Sequence, residues 1–187
     1  MKTLVVNLFA GPGAGKTTCA WEIASELKKR GVVTEYVPEY AKELVWDENY
    51  AALADQEGIF AEQSHRINRL VGKVDVIVTD SPILFSEIYG ENNSDKFRRM
   101  IWNEHYRHNN FNLFINRGNS FEQQGRIHTL EESKEKDLQI KQLLDENSVY
   151  YGNYYHKTVP VVIDNIIKTL HRIKECEENE DDEELEI

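Results

Sequence analysis

Residues 9–18 read FAGPGAGKTT, and no other stretch of the chain narrows its fold as far. Before it, Leu4, Val5, Val6, Leu8 and Phe9 make an apolar run of the length and composition of a buried strand. After it, Ala20, Ile23, Ala24 and Leu27 recur at the i, i+3, i+4, i+7 spacing of an amphipathic helix, which Gly31 closes. The pattern predicts strand, tight loop, helix. Gly11, Gly13 and Gly15, with Pro12 and Ala14 between them, permit a backbone whose N–H groups converge on one anion at the start of the helix. Lys16 adds a mobile positive charge beside that anion. The Thr17 hydroxyl falls where a magnesium ion bridging two phosphates is ligated, and Thr18 can donate to an outer phosphate oxygen. In the strict spacing of such loops the first position is glycine, whereas here it is Ala10. A methyl group is a small addition to the nest, so the phosphate-binding assignment stands.

The remaining periodicities extend the alternation. Val32–Val37 is a β-branched run that reads as a second strand, ending at Pro38-Glu39-Tyr40, where a helix begins. A helix is predicted over 55–71 from Ile59, Ile67 and Leu70, with Gln63, His65 and Arg66 as candidates for a cleft-facing side. Val74–Thr79 is a strongly apolar strand stopping at Asp80-Ser81-Pro82. A helix over 95–108 and a strand over Leu113–Ile115 come next. Residues 116–130 are polar, with Gly118, Gly125 and two arginines, the chemistry of a hinged loop. Helix 131–147, a last strand Val159–Ile163 and a closing helix 165–175 complete the chain. Strands alternating with helices predict an α/β three-layer sandwich around a mostly parallel sheet, with ligand at the carboxyl ends of the strands.

At 187 residues one domain with a full core is expected. The net charge of −11 is concentrated at one end: nine of the 33 acids lie in 175–187, which has no Lys or Arg, leaving 24 acids against 22 bases. We therefore divide the chain into a folded domain, 1–174, and an acidic extension, 175–187, of the composition of a disordered solvating tail. Cys19 and Cys176 are too few and too separated for a disulfide framework. There is no charged-then-apolar leader and no apolar run near the roughly 20 residues that span a bilayer. A cytosolic protein without a membrane partner is expected.

Chemistry-bearing residues gather at strand ends on the side of the glycine loop. Asp80 ends an apolar strand, where a carboxylate can orient the magnesium ion; capping the following segment is its other reading. Glu39, just after the second strand, is placed to take the proton of an attacking hydroxyl, or merely to complement a helix dipole. Arg117 and Arg126, in the polar 116–130 segment, suit a lid that closes over a transferring phosphoryl group and stabilises its charge. Tyr150, Tyr151, Tyr154, Tyr155 and His156 either stack a base or pack the core.

The combination AGPGAGKTT, EYVPEYAKELV, VTDSP and a QGR-bearing lid followed by LEES resembles the P-loop kinases of the ribosylnicotinamide kinase type. That AAA-like group also includes phage-encoded kinases of 5-hydroxymethyluracil in DNA. The resemblance runs to about Ile163 and implies a P-loop NTPase fold. It further implies ATP-dependent phosphoryl transfer to a hydroxyl of a nucleoside-like acceptor. By the same likeness Lys16 and Thr17 serve ATP and Mg²⁺, Asp80 the metal or acceptor side, Glu39 the acceptor hydroxyl, and Arg117 with Arg126 the lid. Modified phage DNA is the specific acceptor expected, with His105, Arg107 and His108 beside Arg98 and Arg99 as an edge for phosphate backbone, and the host cytoplasm as its location. A small free nucleoside such as ribosylnicotinamide is the alternative, and a switch ATPase acting on a protein partner is the alternative of another class. No Asn-Lys-X-Asp motif reads a guanine base, and Ser81 stands where a motor ATPase carries a second acid.

Overall fold

The computed structural model describes residues 2–90, 92–117, 129–155 and 158–185, with side chains through 176. Strand β1 (Leu4–Phe9) is buried along its whole length and leads through residues 10–15 into α1 (Lys16–Lys29). Then follow β2 (Thr34–Val37), α2 (Tyr40–Trp46), α3 (Tyr50–Leu53), α4 (Gln56–Asn68), β3 (Val76–Thr79), α5 (Phe85–Tyr89), α6 (Asp95–Tyr106) and β4 (Asn109–Ile115). After residues 118–128, which lie outside the described ones, come α7 (Leu130–Glu146), β5 (Gly152–Tyr154) and α8 (Val159–Leu185). The five strands form one sheet in the order β2-β3-β1-β4-β5, every neighbouring pair parallel.

Alternation along β1 builds two cores, because successive side chains leave opposite faces of a strand. Leu4, Val6 and Leu8 pack against Cys19, Ile23 and Leu27 of α1 and against Val162, Ile163 and Ile166 of α8. Val5 and Phe9 face the other layer, made by Phe60 and Ile67 of α4, Phe97 and Ile101 of α6, and Ile140 and Leu144 of α7. Asn7 sits among these at 2% exposure and donates to Asn110 (2.8 Å) and Asn112 (3.0 Å) of the adjacent β4. Those partners offset what an unbonded amide would cost there. They also explain why β4 starts four residues before its apolar core: its first half is an asparagine-rich, half-buried ladder that apolar patterning does not reveal.

Two sequence expectations change. Val159–Ile163 is not a strand but the first turns of α8, and the fifth strand is the three-residue Gly152–Tyr154. Val159, Val162, Ile163, Ile166 and Leu170 lie at helical spacing and all are buried against the α1 side, and Pro160 is tolerated in a first turn. A short β-branched run reads either way until its neighbours are known. Helix α8 also continues to Leu185, so the backbone of the acidic 175–185 stretch is helical; glutamate-rich sequence without Pro or Gly has the propensity for it. Helix α5 is a further element that the spacing does not announce. Among the described residues no helix is long and apolar enough to cross a membrane.

Candidate active site

The loop between β1 and α1 adopts the conformation its glycines permit: Gly13 has φ 72° and Gly15 φ 91°, both left-handed. Gly15 is the N-cap of α1, so the free N–H groups of the first turn are presented to the loop's hollow. Gly11 is required for a different reason. A Cβ there would overlap the Ser133 carbonyl oxygen and lie 2.8 Å from an Arg117 guanidinium nitrogen. Lys16, 6% exposed, folds back to donate to the carbonyls of Ala10 (2.9 Å) and Gly11 (3.1 Å), with its ammonium 5.4 Å from the centre of the Phe85 ring. A charge held against carbonyl dipoles and a ring face inside a low-dielectric hollow is well placed to attract phosphate.

Thr17 and Asp80 come from different elements and meet. The Thr17 hydroxyl donates to Asp80 Oδ2 at 2.6 Å, while Asp80 Oδ1 is buried and has no hydrogen-bond partner. A wholly buried carboxylate with one unpartnered oxygen is costly unless a ligand completes it. Among the described residues no group of three or more His, Cys, Asp or Glu side chains is placed to hold a metal ion. A hard cation would be held by Asp80, the Thr17 hydroxyl and phosphate oxygens, a donor set that suits Mg²⁺. Tyr36 of β2 belongs to the same cluster. Burial pushes its phenol well above the usual tyrosine range, and the Asp80 charge, the Asp80 hydrogen bond and the Glu39 charge push it further. Tyr36 also meets Trp21 edge-on, 6.4 Å between centroids. Sequence reasoning misses it because a tyrosine in a β-rich run reads as strand packing.

Glu39 is the N-cap residue of α2, yet its side chain makes no cap bond. Instead it lines a cavity of about 310 Å³ between Pro12 of the loop and the Phe85, Ile88 and Tyr89 face of α5, with Gln63 and Ser81 on its wall. Glu39 thus stands both at the start of α2, where a carboxylate complements the helix dipole, and on the cavity wall. The cavity joins the glycine loop to the ends of β2 and β3 and combines apolar walls with few polar groups, as small-molecule sites do.

Arg117, at the edge of the described residues, lies against α7 and the glycine loop. Its guanidinium pairs with Asp137 of α7, donates to the Pro12 carbonyl at 3.1 Å and to the Ser133 carbonyl at 3.0 Å, and also bonds the Ser133 hydroxyl. Asp137 in turn accepts from the Gly11 N–H at 2.6 Å, and the Ser133 hydroxyl donates to Pro12 O. One face of α7, Ser133 and Asp137 at i and i+4, thus buttresses the first half of the loop. The signal for this was the Thr129–Glu132 capping box, which fixes the start of α7 and hence which of its polar residues share a face. Arg126, with Gly118 and Gly125, lies outside the described residues.

Other sequence candidates are not brought to the cavity. Tyr154 is fully buried and donates to Glu22 at 3.0 Å, Tyr151 tilts against Phe114, Tyr150 and Tyr155 are exposed, and His156 lies outside the described residues. The four tyrosines are packing and rim, not a stacking platform. Arg66 forks onto Glu43 (2.7 and 2.8 Å) and reaches Glu62 (2.8 Å), which commits it to ion pairs beside Tyr40. The expected basic edge carries less charge than the sequence suggests: burial depresses His105 to about 4 and lowers His108, Arg107 pairs with Glu104, and Arg98 with Glu87.

Comparison with known proteins bears on the fold. The sequence profile of a family described as AAA domain matches residues 5–170. A search of curated protein sequences finds no match. Among solved structures, thymidylate kinase from Ehrlichia chaffeensis superposes with TM-score 0.59 at 14% identity, covering 91% of this chain and 100% of that one. The APS kinase of Mycobacterium tuberculosis in complex with AMPPNP and APS superposes with TM-score 0.50 at 14% identity, covering 91% and 98%. The fold is the α/β fold of P-loop kinases, its all-parallel sheet flanked by helices on both faces.

Proposed function

We propose that this chain, which belongs to the AAA domain family across residues 5–170, is an ATP-dependent kinase that transfers the γ-phosphoryl group to a hydroxyl of a nucleoside-like acceptor. The observation that carries the reading is the shared cavity: Glu39 and the glycine loop open onto one hollow of about 310 Å³. The walls suit a planar ring against Phe85 and Tyr89, and the volume suits one nucleoside rather than a folded partner.

In this reading the loop N–H groups and Lys16 hold the phosphates at the start of α1, and Thr18 donates to an outer oxygen. Mg²⁺, when bound at Asp80 and Thr17, would neutralise charge on the β and γ oxygens. Glu39 takes the proton of the acceptor hydroxyl as its oxygen bonds to the γ-phosphorus and the bond to the β-phosphate oxygen breaks, leaving ADP. Apolar walls exclude water from the attack line. Arg117 acts by holding the loop's shape through Pro12, and Arg126 keeps the lid role that the sequence resemblance implies.

Two acceptors fit this class. A free nucleoside such as ribosylnicotinamide enters directly, whereas 5-hydroxymethyluracil in DNA requires its nucleotide to be turned out of the helix. The neutral His105 and the paired Arg98 and Arg107 leave less positive charge for a DNA backbone than the sequence suggests, so we favour the free nucleoside. The test is incubation with γ-labelled ATP and Mg²⁺ against hydroxymethyluracil DNA, ordinary DNA, free nucleosides and water alone. Label on a free nucleoside is expected, lost with Lys16→Ala at unchanged melting temperature. Label on the modified DNA would reverse the preference, and phosphate release without a labelled acceptor would replace the kinase with a switch ATPase.

A further inference from the structure

The loop after β2 that carries Glu39 is short of backbone partners. Pro38 has no N–H, and the Tyr40 N–H belongs to the first turn of α2, where no intrahelical acceptor exists. One side chain from another helix makes good the deficit. Gln63 of α4, 3% exposed, accepts from the Tyr40 N–H through Oε1 at 3.1 Å and donates through Nε2 to the Pro38 carbonyl at 3.3 Å. The amide therefore grips both peptide neighbours of Glu39. The same Nε2 lies 3.5 Å from the Thr79 hydroxyl, which accepts from the Ser81 N–H at 3.1 Å, so the grip continues onto the residues on either side of Asp80.

We infer that Gln63 is the positioning residue of the site, fixing the Glu39 carboxylate relative to Asp80 and Thr17 by tying together the two loops that carry them. The inference rests on the function proposed above. An amide is the side chain that fits: it supplies one acceptor and two donors at one point. Glutamate in its ionised form keeps the acceptor for Tyr40 but gives nothing to Pro38 or Thr79. Leucine has the volume and none of the bonds. Because Gln63 contacts backbone and a hydroxyl rather than the glycine loop, its loss should disturb the aim of Glu39 and leave nucleotide binding alone.

The test uses the whole chain with Gln63→Leu and Gln63→Glu, each alone and combined with Glu39→Gln. On the acceptor identified by the labelling panel, Gln63→Leu is expected to lower kcat by about 10–100-fold, the scale of a small misplacement of a reacting group. Affinity for Mg-AMPPNP should stay within about threefold. When Glu39 is already glutamine, Gln63→Leu should cost little more, since the group it aims is gone. Gln63→Glu should also move the acidic limb of the kcat profile to higher pH, because a second carboxylate beside Glu39 disfavours its ionised form. Hydrogen exchange at the Tyr40 and Ser81 amides should speed up in Gln63→Leu. Equal losses with and without Glu39, or unchanged exchange at both amides, overturn the inference. If Glu39→Gln alone leaves transfer intact, the catalytic-base reading fails instead, and the exchange result still decides whether Gln63 holds the two loops.

Discussion

The two ends of the sheet are built from similar residues and treat them differently. At the amino ends of the strands, polar side chains close on one another. Asp75 takes Lys174 at 2.7 Å and the Val33 N–H at 3.0 Å, Thr3 bonds the Val74 carbonyl at 2.7 Å, and Glu104 collects Asn68 and Arg107. Burial raises the Asp75 carboxyl, but Lys174 and the Val33 N–H outweigh it and hold it below its ordinary value. At the carboxyl ends, Asp80 keeps one oxygen without a partner, Glu39 forgoes its cap, and a cavity separates the helices. The first end is largely satisfied polarity that stabilises, with the buried His108 Nε2 left without a hydrogen bond. The second leaves a buried carboxylate oxygen unpartnered beside a cavity, and its loops are bonded by side chains from α4 and α7. Burial of a charged residue does not distinguish a site from a scaffold; an unpartnered oxygen beside a cavity is the stronger pointer.

The largest expected effect breaks the carboxyl end chemically. Glu39→Gln should lower kcat by roughly 10²–10⁴-fold with nucleotide binding preserved, the scale of a lost general base; calorimetric titration with Mg-AMPPNP beside initial rates checks it, and weakened nucleotide binding instead would give Glu39 a metal role. Next, Gly11→Ala tests the buttress. The added methyl meets the Ser133 carbonyl and the Arg117 guanidinium, so overpacking of about 1–3 kcal/mol should drop the melting temperature by about 3–10 °C and weaken AMPPNP binding together. A variant as stable as the parent would mean that α7 does not support the loop.

The smallest effect concerns the other end. His105 is 3% exposed and depressed from 6.5 to about 4. The unfolded chain takes up its proton near 6.5 while the folded imidazole refuses it until about 4. Stability therefore falls as pH drops through that window, by on the order of 1–2 kcal/mol near pH 5. Thermal melts between pH 7 and 5 should show a shallower loss in His105→Gln, with kinase rates at neutral pH unchanged; an unchanged slope would assign the acid sensitivity to His108 or Glu104.

Much of the fold was legible because its signals are local. The β1 run, the glycine loop and the period of α1 all lie within 27 residues of one another, and each reports a backbone requirement that few other residues meet. The carboxylates Asp80 and Glu39 were legible because apolar runs announce where strands end. Gln63 was legible as a cleft-facing residue but not as the link between two loops, and Tyr36, Ser133 and Asp137 were not legible at all, since each acts on a partner 20 or more residues away and is an ordinary polar residue in its own neighbourhood. Val159–Ile163 was misread for the converse reason: its β-branched composition is local evidence for a strand, and only the buried face that α1 offers made it helix.

By itself, then, the sequence determined the phosphate-binding loop, the alternation of strands and helices and the two acids at strand ends, because glycine φ freedom and hydrophobic period are properties of short segments. The tertiary structure decided which side chains meet there. It brought Thr17 to Asp80 across 63 residues, bound Arg117 to α7, and left an unpartnered carboxylate oxygen at Asp80. Those outcomes depend on the order in which five parallel strands lie in the sheet, a long-range arrangement that no window of the chain encodes alone.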